Sequence, residues 1–198
     1  MLDWIKLGNK NYPEFWRDYL SQFDKKNDRI VVLKVHASGT DSEKDDIISI
    51  GAVAVSANAM DVGDSFESVI AHRKSIGTEL TDNSYLDISI KEKVTEQVAI
   101  ESFVNYLKNA TVVGHRVDVD IEFINAALSK EGCGKLKNEA LDLEIMCRKW
   151  KDASDNKSFS IADLRNEFKV AMPERNDTIE DAFDLGLIFL KLKSRLGL

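Results

Sequence analysis

The stretch IVVLKVHASGTDSEKDDIISIGAVAV, residues 30–55, carries the strand pattern from which the predicted fold follows. It holds two β-rich runs, Ile30–His36 and Ile47–Val55, separated by the polar sequence GTDSEKDD. A third run, Ser65–Ile70, follows a second polar sequence, NAMDVGD. Runs rich in Val and Ile that are bounded by polar turns indicate strands joined as hairpins. The sequence therefore predicts a meander of three antiparallel strands.

After an irregular stretch the pattern changes to alternating helices and strands. Apolar residues at helical spacing from Val98 to Leu107 predict a helix, and Thr111–Gly114 predicts a short buried strand. Further helices are expected after an N-cap at Asp118 with a stop at Gly132, from Ser160 with Asp163 in its first turn, and over about residues 177–196. A meander followed by such alternation predicts an α/β fold with a mixed sheet flanked by helices.

The first 28 residues differ from the rest of the chain. After Pro13, aromatic and apolar side chains recur at helical spacing: Tyr12, Phe15, Trp16, Tyr19, Leu20 and Phe23. We expect residues 1–28 to form an amphipathic helical extension that docks on one main domain, residues 29–198. The alternative is that its aromatic face binds a partner protein. A chain of 198 residues that is 43% hydrophobic suits one substantial core.

Charge and cysteine content narrow the function classes. The net charge of −7 argues against a broad, sequence-independent grip on nucleic acid, which needs many Lys and Arg side chains. The local basic clusters at residues 148–151 and 191–195 remain candidates for lining a basic groove for nucleic acid, although a solvated helix face is the simpler interpretation of each. Cys133 and Cys147 lie outside any CxxC spacing and are read as packing residues. Without an apolar run of 18 residues, we expect a cytoplasmic protein with no membrane contact.

Three segments carry the positions at which chemistry is expected: VVLKVHASG at residues 31–39, VGHRVDVD at 113–120 and NDTIEDA at 176–182. Together with ISIGAV at 48–53, DSFE at 64–67 and ALD at 140–142, before an expected fifth strand, they resemble the DnaQ-like (DEDDh) 3′-to-5′ exonucleases. The resemblance is to the exonuclease (epsilon) subunit type of DNA polymerase III and covers about residues 29–195. It implies a ribonuclease H-like mixed β-sheet.

The resemblance also implies which residues stand at the family's site. Asp120 and Asp181 match two carboxylate metal ligands of that family. Lys34 and His36 occupy the places of its Asp and Glu on the first strand, and Asn176 occupies the place of its general-base His. Ser38, Gly39 and His115 match substrate-binding positions, although His115 is more simply a structural histidine.

These replacements act on metal binding and on proton transfer separately. Members of the family hold two divalent ions, which requires several anionic oxygens at short range. Positions that would carry about four negative charges here carry about one. Lys34 at about 4 Å from a divalent ion adds a repulsion of roughly 8 kcal/mol before screening, at an effective dielectric constant of about 20. We therefore expect no cofactor, with Mg²⁺ or Mn²⁺ needed only if activity remains.

Lys34 is expected to form an ion pair with Asp120 or Asp181, where a protein cation would replace the metal. A zinc site of His36, Asp120 and Asp181 is an alternative, with a buried, hydrogen-bonded His36 as the default. Both aspartates also admit a structural reading, because carboxylates are favoured in the first turn of a helix.

Three functions remain open at this point. The first is a catalytically silent exonuclease homologue that binds a single-stranded nucleic acid, a 3′ end or a protein partner. The second is an active exonuclease for DNA or RNA with a rearranged site that recruits Asp41, Asp45 or Asp46. The third is a structural or interaction protein that uses its N-terminal helix.

Overall fold

A computed structural model describes residues 11–56, 58–71, 92–171 and 177–198. The helices in this part of the chain are α1 (Glu14–Ser21), α2 (Glu96–Leu107), α3 (Val117–Lys130), α4 (Leu143–Lys151), α5 (Ile161–Phe168) and α6 (Thr178–Leu196). The strands are β1 (Ile30–Ala37), β2 (Ile47–Ser56), β3 (Ala59–Ile70), β4 (Lys93–Val94), β5 (Thr111–Gly114) and β6 (Ala140–Asp142). Asn176 and most of the expected irregular stretch, residues 72–91, lie outside the described residues.

The described strands form one mixed sheet in the order β4-β3-β2-β1-β5-β6. β1, β2 and β3 pair antiparallel, whereas β5 pairs parallel with β1, and β6 pairs parallel with β5. This topology confirms the predicted meander and the predicted mixed sheet. It also places the carboxyl-terminal ends of β1 and β5 side by side, and the three motifs meet at this end of the sheet.

Helices cover both faces of this sheet because β1 is apolar on both faces. Val31, Leu33 and Val35 pack in one core with side chains of α1, α2 and α3. Val32 points the other way and packs in a second core with side chains of α4, α5 and α6. Alternation along a strand then directs Lys34 and His36 to the α6 side as well.

The N-terminal helix is part of the first core. Trp16 and Tyr19 on α1 are each 1% exposed, and the ring of Trp16 stacks on that of Tyr19 at 4.6 Å. The Tyr19 hydroxyl donates to Asn138 Oδ1 at 2.6 Å and accepts from the Lys137 N–H at 2.8 Å. The aromatic face of α1 is therefore covered by the chain itself. Pro13 is the N-cap of α1.

Two expected boundaries are wrong. β3 begins at Ala59 rather than Ser65, and most side chains of its first half are exposed, so this half lacks the regular alternation that marks a half-buried strand. Asp118 is not the N-cap of α3: the N-cap is Arg116, in the left-handed region with φ of 52°. The N–H of Val117 is satisfied instead by Asp142 Oδ2 at 3.0 Å, a contact from a distant part of the chain.

Residues 140–142 do not precede the expected fifth strand but form the short strand β6, and Asp142 then caps α4, a helix that the sequence pattern did not predict. β6 has only three residues, so the segment is too short to show the alternation that identifies a strand in sequence. Other helix ends were predicted well. Ser160 and Asp163 form a reciprocal capping box at α5, Gly132 follows the end of α3 with φ of +72°, and Asp177 caps α6. No helix in the described ranges is long and apolar enough to cross a membrane.

Candidate functional site

Lys34 and Asp120 form an ion pair at the edge where β1 meets the first turn of α3. The distance from Lys34 Nζ to Asp120 Oδ1 is 3.3 Å. The Asp120 side chain is only 6% exposed, whereas that of Lys34 is 25% exposed. The predicted ion pair is thus present, and Lys34 pairs with Asp120 rather than with Asp181, the other proposed partner.

Burial dominates the ionisation of Asp120. Removal from water raises the pKa of this carboxyl to about 6, although the charge and the hydrogen bond of Lys34 both act to lower it. The ammonium group therefore compensates only part of the cost of burying a carboxylate. Asp120 consequently gains a proton under mildly acidic conditions, unlike an ordinary surface aspartate.

Asp181, the second surviving carboxylate, is held by two other side chains. His36 Nε2 lies 2.8 Å from Asp181 Oδ2, and Arg165 Nη2 donates to Asp181 Oδ1 at 2.7 Å. Burial acts to raise the pKa of Asp181, but the hydrogen bonds and charges of His36 and Arg165 outweigh it and leave the pKa below its ordinary value. His36 is therefore hydrogen-bonded as its default reading expected, but its side chain is 24% exposed and so it is not buried.

Arg165 is the residue of this site that sequence reasoning missed. It lies on α5, is 8% exposed, and also contacts Asp184 at 3.1 Å through Nη2 and at 3.2 Å through Nε. Burial raises the pKa of Asp184, and the neighbouring guanidinium opposes that rise. One signal was available: Arg165 is bracketed by Leu164 and Phe168 on the buried stripe of a short helix. A cation on such a stripe requires an anion to face it.

The position of Asp181 is fixed by the way α6 begins. Asp177, and not Asp181, accepts the N–H of Ile179 at 3.3 Å and caps the helix. The hydroxyls of Thr178 and Ser49 form a buried hydrogen bond, and a Cβ on Gly51 would collide with the Thr178 carbonyl. α6 therefore approaches β2 closely enough to bring Asp181 to His36.

The expected substrate-binding positions are all engaged in local structure. The Ser38 hydroxyl accepts the N–H of Asp46 at 3.0 Å, within the β1–β2 turn, and Gly39 lies against the side chain of Asp45. His115 Nε2 donates to the Phe159 carbonyl at 2.8 Å, which is the structural role anticipated for it. This bond holds the segment that leads into α5.

The rearranged acidic site has no support in the described contacts. Asp41 pairs with Lys44, and the Asp41 N–H donates to Asp45 Oδ2 at 2.9 Å. Within the described ranges, no three His, Cys, Asp or Glu side chains are grouped in a way that could hold a metal ion. Two fixed cations, Lys34 and Arg165, stand beside the remaining carboxylates, so this donor set does not fit a pair of divalent ions.

The candidate basic clusters are also bound internally. Arg148 pairs with Glu144 at 3.1 Å, and Lys151 pairs with Glu167 at 2.7 Å. Lys191 Nζ donates to the Phe168 carbonyl at 2.6 Å. These contacts favour the structural reading of the clusters over a basic groove.

The sheet order and the convergence of the three motifs define a ribonuclease H-like domain of the DnaQ-type exonuclease class. The model of the exonuclease family RNase T matches residues 35–189, and the chain belongs to this family.

Similar proteins agree with this assignment. The chain is 27% identical over 168 residues to a PolC-type DNA polymerase III of Caldanaerobacter subterraneus subsp. tengcongensis, covering 84% of this chain but 12% of that polymerase. It is 23% identical over 167 residues to the epsilon subunit of DNA polymerase III of Aquifex aeolicus, covering 84% of this chain and 81% of the subunit. A zinc-bound complex of Escherichia coli exonuclease I with single-stranded DNA shares the fold, with a TM-score of 0.69, 12% identity, and coverage of 86% of this chain and 42% of that one.

Proposed function

We propose that this domain is a pseudo-exonuclease that binds a single-stranded nucleic-acid 3′ end without hydrolysing it. One observation carries the loss of hydrolysis: each carboxylate that matches a family metal ligand is already ion-paired with a protein cation, Asp120 with Lys34 and Asp181 with Arg165. Two-metal hydrolysis requires those oxygens to face the ions.

The sequence supplies a second, separate reason to expect no hydrolysis. Asn176 stands where the family has its general-base histidine, and an amide has no proton-transfer role near neutral pH. His36 does not stand in the place of that base: it occupies the position of a family metal ligand on β1, where its Nε2 contacts Asp181 at 2.8 Å. Loss of metal ligands and loss of the base reinforce one another.

Retained binding is supported by the partial exposure of the site. The side chains of Lys34 and His36 are 25% and 24% exposed, so both remain partly accessible to solvent. A lysine ammonium is a general phosphate partner that needs no metal. Exonuclease I, which shares the fold, is known in complex with single-stranded DNA.

Hydrolysis and binding are tested separately. The native chain is incubated with 5′-labelled single-stranded DNA and RNA oligonucleotides in Mg²⁺ and in Mn²⁺, and we expect no shortening of either. Progressive shortening that depends on the added ion would show that the domain is an active exonuclease with a rearranged site.

Binding is measured by fluorescence anisotropy in the presence of a chelator. We expect Lys34→Met to weaken binding of single strands about tenfold, roughly the value of one lost phosphate contact. Arg195→Met is the matched control, because Arg195 lies on the same helix as Asp181 but about 21 Å further along it. Equal binding by the Lys34→Met and Arg195→Met variants, or no binding by the native chain, would favour a protein partner for the domain instead.

A further inference from the structure

The two carboxylates of the former metal site are neutralised by two separate cations on separate elements. Lys34 on β1 contacts Asp120, whereas Arg165 on α5 contacts Asp181. A change at Lys34 therefore releases Asp120 alone. It leaves the charge beside Asp181 in place.

Arg165 is well suited to persist as a barrier to metals. A guanidinium stays protonated at any pH at which the protein is folded, and the planar fork of this one contacts Asp181 and Asp184 together. The Arg165 side chain is 10% exposed, so solvent screens it weakly.

The local structure holds Arg165 in place. The capping box of Ser160 and Asp163 fixes the start of α5, and Leu164 and Phe168 anchor the helix in the core. The segment before the helix is held by two contacts to Phe159, from His115 Nε2 to its carbonyl at 2.8 Å and from its N–H to Glu144 Oε1 at 3.1 Å. The backbone that carries Arg165 is therefore held in place, and its guanidinium is held there by two carboxylates, Asp181 and Asp184.

We propose that Arg165 is a second, independent obstacle to metal binding. Its guanidinium stays paired with Asp181 whichever residues stand at positions 34, 36 and 176. The inference rests on the proposed loss of hydrolysis and deepens it. It means that restoring the family's residues in its three motifs does not by itself restore a metal site. The carboxylate that His36→Glu introduces would join Asp181 in facing the same guanidinium.

The test compares a three-position with a four-position variant. The first carries Lys34→Asp, His36→Glu and Asn176→His, and the second adds Arg165→Met. Mn²⁺ binding is measured by the loss of the free-ion electron paramagnetic resonance signal and by the rise in Tm with added Mn²⁺. We expect the second variant to bind Mn²⁺ at least about a hundredfold more tightly, because a unit charge beside a divalent ion is worth several powers of ten before screening.

A matched control adds Arg148→Met to the three-position variant, which removes an arginine paired with a buried carboxylate, Glu144, outside the site. This variant should bind Mn²⁺ no better than its parent. Circular dichroism verifies that each variant is folded.

The outcomes separate the inference from the proposed function. If the three-position variant binds Mn²⁺ as tightly as the four-position variant, or if the folded four-position variant binds none, the role given to Arg165 is wrong. Mn²⁺ binding and cleavage by the native chain would instead overturn the proposed function itself.

Discussion

Replacing Lys34 with Met should destabilise the domain, because it leaves Asp120 as a buried carboxylate without its cation. Opposite charges about 4 Å apart attract by about 4 kcal/mol at an effective dielectric constant of about 20. The Lys34 side chain is 25% exposed while that of Asp120 is 6% exposed. Allowing for partial solvent screening, we expect a loss of about 2 kcal/mol in the free energy of unfolding at pH 7.5.

Urea unfolding monitored by tryptophan fluorescence measures this loss. The double variant Lys34→Met, Asp120→Asn should recover most of it, because no unpaired carboxylate remains. Lys44→Met is the matched control, since Lys44 also pairs with an aspartate, Asp41, but its side chain is 80% exposed, and its loss should be nearly silent. If Lys34→Met is as stable as the native chain, or if the double variant is no more stable than Lys34→Met, the ion pair does not compensate for the burial of Asp120.

Three further outcomes are expected. Because burial raises the pKa of Asp120 to about 6, its contribution to stability is full below the unfolded value of 3.8 and is lost as the pH rises through 6. Denaturation at several pH values should therefore show the native chain losing about 1 kcal/mol relative to Asp120→Asn between pH 5 and 7.5, and a constant difference would contradict the raised pKa. Gly51→Ala should lower Tm by several degrees in calorimetry because its Cβ would collide with the Thr178 carbonyl, while Gly63→Ala, whose Cβ meets no atom closer than 3.4 Å, should not. Tyr19→Phe should cost about 1 to 2 kcal/mol in the same unfolding assay, because the hydroxyl is both a donor and an acceptor in a largely buried setting; an unchanged midpoint would mean that the hydroxyl contributes little.

The features that sequence predicted well are those that neighbouring residues determine. The meander follows from three apolar runs separated by two polar turns, and the capping box at Ser160 needs only Asp163 three residues later. The ion pair of Lys34 was also foreseeable, because the family resemblance placed two carboxylates beside it and a buried carboxylate requires a partner. The choice between Asp120 and Asp181 depended on the fold and was not foreseeable.

The features that sequence missed depend on contacts between distant segments. The N–H of Val117 at the start of α3 donates to Asp142, which lies 25 positions further along the chain. The local sequence does not reveal this contact, so Asp118 was wrongly predicted to be the cap. Residues 59–61 of β3 pair with residues 54–56 of β2 through the backbone, whereas most side chains in the first half of β3 are exposed. A prediction from side-chain periodicity therefore misses this part of the strand. Arg165 belongs to none of the three motifs, and its role arises only because α5 packs against α6.

The close pairing of Asp120 and Asp181 with neighbouring cations also changes how folding is linked to the surrounding ions. A site that gathers several carboxylates is stabilised by any divalent ion that binds the native state alone, so its melting temperature follows the ion concentration. In this domain the cations are covalently part of the chain and are present at fixed occupancy. Its thermal stability is therefore expected to be the same in metal-depleted and metal-rich solution, which would make it a scaffold whose shape is independent of the supply of divalent ions.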